Sequence, residues 1–84
     1  MGTYIITFRS VTPAQRAEKL LRSVGLSCHL GRTPRWMEEQ GCGYSIRVRN
    51  VEADTLVSLL RNYKVSFRKL YLQGENGAME EVSL

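Results

Sequence analysis

The segment Gly41-Cys42-Gly43 carries the one chemically pointed residue of this chain, a thiol set between two residues that have no side chain. Flanking glycines leave backbone and sulfur open to approach by another molecule. A thiolate presented in this way can attack an electrophile or accept a sulfur atom. The bland reading stands beside it: a lone cysteine is most often a small buried hydrophobe, and two glycines need be no more than a turn into a strand. Two cysteines, Cys28 and Cys42, are too few for a disulfide framework, and no Cys-x-x-Cys pair offers a zinc site or a dithiol. With a single histidine as well, no metal site and no cofactor are expected.

The elements that must position Cys42 are legible as a β-α-β-β-α-β order. Tyr4, Ile6 and Phe8 alternate with Ile5 and Thr7 as a first strand. Thr12 can cap a helix whose first position would be Pro13. Ala14, Ala17, Leu20, Leu21 and Val24 form the apolar stripe of that helix, and Gly25 stops it. Leu26, Cys28 and Leu30 give a short second strand, with Cys28 on the apolar face as core. Tyr44, Ile46 and Val48 give a strong third strand. Asn50 can cap a second helix striped by Ala53, Leu56, Leu60 and Tyr63. Val65 to Leu72 reads as a fourth strand whose alternation slips at Arg68-Lys69, as at a bulge.

This order is the split βαβ plan of ferredoxin-like domains. The expected fold is therefore α+β, a four-stranded antiparallel sheet with two helices on one face. Residues 1–73 would form one domain, and 74–84 a flexible C-terminal tail.

In that topology the connection holding Cys42 lies where the first strand ends and the first helix begins. A helix N-terminus favours a nearby anion and lowers thiol pKa values. Thr12, at that N-terminus, and Arg32 and Arg35, in the connection, are the candidate thiolate stabilisers; Gly41 and Gly43 provide access. Glu38 and Glu39 oppose them. His29 is a surface residue that a general-base role would also suit. Trp36 is either a plug folded back onto the domain or a docking anchor.

Thr33-Pro34-Arg35 followed by Cys42-Gly43, in a chain opening Tyr4-Ile5-Ile6-Thr7-Phe8, resembles the Se/S carrier protein-like family of small bacterial domains. The resemblance runs nearly to Leu72 and takes in Ala17, Glu18 and Leu20 and the Ser45-x-Arg47 continuation. Met37-Glu38-Glu39-Gln40-Gly41 is bulkier and more acidic than the small residues that usually lead into Cys-Gly there. The resemblance implies that Cys42 carries sulfur or selenium as a persulfide or selenylsulfide. It also implies donor and acceptor proteins as partners, with Thr33, Pro34, Trp36 and Arg47 as their contacts, and a relay rather than a stand-alone enzyme.

Composition sets the outer limits. The 84 residues are 43% hydrophobic, enough for one modest core. No apolar run approaches the roughly 20 residues of a spanning helix, and the N-terminus has no signal-peptide pattern, so a cytoplasmic protein without membrane contact is expected. Net charge is +4, but residues up to Gln73 hold 12 basic against 5 acidic side chains, +7. Arg47, Arg49, Arg68 and Lys69 gather on the third and fourth strands. A second reading follows, a non-catalytic binding module whose basic open sheet face takes RNA or an acidic protein. Nucleic acid is the disfavoured partner, because Tyr4, Phe8 and Tyr44 point inward and stacking needs aromatics on the open face. A homodimer could bury the same face.

Overall fold

A computed structural model describes residues 3–32, 43–74 and 76–82. Its elements are β1 (Thr3–Phe8), α1 (Val11–Ser23), β2 (Cys28–Arg32), β3 (Tyr44–Arg49), α2 (Ala53–Asn62), β4 (Leu70–Gln73) and β5 (Met79–Glu81). The strands form one antiparallel sheet in the order β2-β3-β1-β4-β5.

Alternation decides the two faces. Ile6, Phe8, Ile46, Val48 and Leu70 project into one core with Ala14, Ala17 and Leu21 of α1 and Leu56, Val57 and Leu60 of α2. Both helices therefore cover the same face of the sheet. Each of the large side chains among these is worth roughly 1.5–3 kcal/mol on burial. Tyr4 and Tyr44 pack against that core as well, which keeps them off the opposite face. On the opposite face Ile5, Thr7 and Ser45 are also buried, so the far side of the sheet is only partly open.

Among the described residues five strands replace the four expected from the sequence. The added one, β5, comes from the segment read as a tail: Met79 to Glu81 pair with Gln73 to Tyr71 of β4. The Val82 N–H donates to the Leu70 carbonyl at 2.8 Å, and the Val82 side chain packs on the core. A three-residue strand reading Met-Glu-Glu has no alternation to betray it, and half-buried Met79 and Val82 are its only apolar hold.

Other boundaries shift in ways the chain explains. The N-cap of α1 is Ser10, not Thr12. Pro13 then occupies the third helical position, where its missing N–H still costs nothing, because the first-turn amides have no partner inside the helix. Glu52 is the N-cap of α2. Asn50 instead takes φ +57°, the left-handed conformation that Asn tolerates better than most residues. β4 runs Leu70–Gln73 rather than Val65 to Leu72, and Arg68-Lys69 fall not at a bulge within it but in an irregular lead into it. Thr7 holds it: the Thr7 N–H donates to the Lys69 carbonyl at 2.9 Å and the Arg68 N–H to the Thr7 carbonyl at 2.7 Å. The Lys69 N–H donates to Thr7 Oγ1 at 3.1 Å.

Candidate functional site

Register fixes where the cysteine segment joins the fold. Tyr44 pairs with Phe8 on one side and Arg32 on the other. The last residue of β1, the last of β2 and the first of β3 thus lie side by side at one end of the sheet. The connection from Arg32 to Gly43 leaves and returns there. Ser10 and the first turn of α1 follow Phe8 directly, so the helix N-terminus opens at that same end. Its N-cap is extended, makes no side-chain capping bond, and no acid sits in the first turn. The first-turn amides of a helix have no partner within it and leave a partial positive charge at this end.

Among the expected site residues, Gly43 is buried immediately before β3, Thr12 is exposed in the first turn of α1, and Arg32 and Arg47 are exposed. Arg32 sits with its guanidinium carbon 5.9 Å from the centre of the Tyr44 ring, a cation–π arrangement that ties the end of β2 to the start of β3. Arg32, Gly43 and Thr12 therefore belong to one end of the fold. Arg47, three residues further along β3, lies with Arg32, His29, Ser45, Ile5 and Met79 around a pocket on the sheet face away from the helices. Cys42, Gly41, Thr33, Pro34, Arg35 and Trp36 lie outside the described residues, as do Glu38 and Glu39.

Cys28 is a free thiol, half-buried beside the core, with Sγ 3.8 Å from the Glu18 carbonyl oxygen of α1. Its place is a packing one, in the contact between β2 and α1. Among the described residues no three His, Cys, Asp or Glu side chains gather as metal ligands would, and no helix is long and apolar enough to cross a membrane.

One feature of this end was missed in the sequence. Arg9, Ser10, Pro13, Phe67, Arg68 and Lys69 line a cleft of about 530 Å³ between the end of β1, the start of α1 and the lead into β4. Arg68 and Lys69 read as strand residues with a basic sheet face, and Arg9 carried no signal beyond standing just before a helix start. The cue was the slip in alternation at Arg68-Lys69, which turns the pair out of the ladder.

The family model described as "Putative Se/S carrier protein-like" matches residues 3–72. Neither a curated protein nor a solved structure matches the chain significantly.

Proposed function

Because this chain belongs to the Se/S carrier protein-like family, we propose that it is a chalcogen relay in which Cys42 accepts and passes on sulfur or selenium. The observation that carries the reading is the span of the family match, which includes the whole connection from Arg32 to Gly43 and therefore Cys42. The surroundings of that connection support it. Both of its roots lie beside an α1 N-terminus without a first-turn acid, with Arg32 at one root. Such surroundings favour thiolate over thiol.

The transfer is redox-neutral. The Cys42 thiolate attacks the terminal sulfur of a donor persulfide, R–S–SH. A new S–S bond forms to Cys42 as the donor S–S bond breaks, and the donor leaves as its thiolate, R–S⁻. The carrier is then Cys42–S–SH. Selenium replaces the terminal sulfur in the same scheme. Passage to an acceptor reverses the step. Gly41 gives the donor access, Gly43, buried at the start of β3, sets no side chain beside the sulfur, Thr12, Arg32 and Arg35 stabilise the anionic sulfur, and Thr33, Pro34, Trp36 and Arg47 meet the partner proteins. In the same reading β1 to β4 with both helices form a ferredoxin-like core, to which β5 is an edge addition.

The test is alkylation against pH, followed by loading from a small-molecule persulfide, each read by intact mass on wild type, Cys28→Ser and Cys42→Ser. Wild type and Cys28→Ser should react at Cys42 with a midpoint well below the free-thiol value of about 8.5 and gain one sulfur. Cys42→Ser should gain none. Equal loading of Cys42→Ser and wild type overturns the proposal.

A second reading, docking of an acidic protein or RNA, draws on the pocket where His29 and Arg47 meet on the sheet face away from the helices. Tyr71, half-buried on β4 and opposite Ile5, is an aromatic on that face. Binding of this kind weakens steeply as salt rises, whereas loading of Cys42 follows the thiolate fraction.

A further inference from the structure

We propose that the cleft between β1, α1 and β4 is a binding site for a phosphate monoester, with the phosphate held by Arg9, Ser10 and Arg68 and the organic part against Phe67 and Pro13. The volume of about 530 Å³ is that of a small-molecule site. Three of its lining residues are cationic, Arg9, Arg68 and Lys69, and among the described residues no acid lines it. Lys69 pairs with Glu81 of β5 at 3.4 Å. That pair ties the lead into β4 to β5, and its partly exposed charges make it a weak one.

Phosphate fits better than carboxylate because the donors come from separate elements. Arg9 and Ser10 follow β1 and Arg68 precedes β4, so three oxygens can be met at once, and a dianion gains more from guanidinium groups than a monoanion. The α1 N-terminus, free of acidic residues, adds to the same potential. The scaffold is fixed before any ligand arrives: the buried Thr7 hydroxyl and backbone bind Arg68 and Lys69 to β1 through bonds of 2.7 to 3.1 Å. The backbone held in this way loses little further freedom on binding, and the cost that remains is the ordering of the Arg9 and Arg68 side chains.

Neither Arg32 nor Gly43, the two ends of the Cys42 connection, lines the cleft, and the Cys42→Ser protein should still bind phenyl phosphate saturably. The experiment is a titration of the full chain with phenyl phosphate, inorganic phosphate and benzoate, followed by backbone amide chemical shifts. Saturable shifts are expected at Arg9, Ser10 and Ser66 to Lys69, with phenyl phosphate bound more tightly than either of the others. Arg9→Ala with Arg68→Ala should weaken phenyl phosphate about tenfold or more, the loss expected when charge-assisted bonds are removed. Arg61→Ala, an exposed cation in the last turn of α2, should change it less than about twofold. Should the Arg68 variant fail to fold, Arg9→Gln alone serves, since Arg9 is exposed. The proposal is overturned if shifts do not saturate, if benzoate binds as well as phenyl phosphate, or if Arg61→Ala costs as much as the cleft variants.

Discussion

The two helices end alike and begin differently. At its C-terminus α1 donates from the Gly25 N–H to the Arg22 carbonyl at 3.0 Å and from the Leu26 N–H to the Leu21 carbonyl at 3.0 Å. At the corresponding positions α2 donates from Lys64 to Arg61 at 3.1 Å and from Val65 to Leu60 at 2.9 Å. Both are Schellman endings, and each last turn carries an arginine, Arg22 or Arg61, that suits the negative end of the helix. The N-termini diverge. Glu52 and Asp54 put negative charge at the start of α2, whereas α1 starts with no acid at all and opens on a cleft lined by Arg9, Arg68 and Lys69. One helix answers its own positive end. The other carries no acid of its own there, at the end of the sheet where the connection from Arg32 to Gly43 is rooted.

The largest difference to be expected in stability lies between the two Schellman glycine positions. Gly25 has φ +84°, and an added Cβ would meet open space. Gly25→Ala should therefore cost only the left-handed backbone penalty, about 1–2 kcal/mol. Lys64 already carries that penalty at φ +55°. Lys64→Gly should recover part of it, about 1 kcal/mol. Urea denaturation of both variants checks the pair. Equal and same-signed changes would mean that the two endings are not alike.

At the N-termini the effects are smaller. Asp54→Asn removes a carboxylate from the first turn of α2 and should destabilise the protein by about 0.3–1 kcal/mol at low salt. The loss should shrink as ionic strength rises. A salt-independent loss would point to a specific hydrogen bond rather than to the helix dipole.

The sequence carries the parts of this fold that depend on periodicity. The stripe of Ala14, Ala17 and Leu21 and the alternation through Tyr44, Ile46 and Val48 are strong because each buries a continuous apolar face, and the structure places them in one core. Tyr63 shows where periodicity misleads. It falls in step with Leu56 and Leu60, but α2 ends at Asn62, the backbone turns, and Tyr63 is left 59% exposed. β5 was invisible because its pairing depends on backbone hydrogen bonds to β4 rather than on a side-chain pattern. At the site, the topology argument put Gly43, Arg32 and the α1 N-terminus together. The cleft was not legible, because its basic residues come from two segments 59 positions apart, Arg9 and Arg68, brought together by the Thr7 bonds.

Thr12→Asp gives the smallest change in stability and tests the comparison most directly. Thr12 is exposed in the first turn of α1, the place that Asp54 fills in α2. The new carboxylate should stabilise the helix by about 0.3–1 kcal/mol through its dipole. It should also compete with any external anion. Phenyl phosphate affinity should then fall a few-fold, and the alkylation midpoint of Cys42 should rise, because negative charge disfavours the thiolate. Stability and anion binding would move in opposite directions at one residue, which is the signature of a helix end kept unanswered for a ligand. If Thr12→Asp stabilises the protein while both binding and the alkylation midpoint stay as in wild type, the bare N-terminus of α1 has no part in either site, and the contrast between the helices is one of sequence alone.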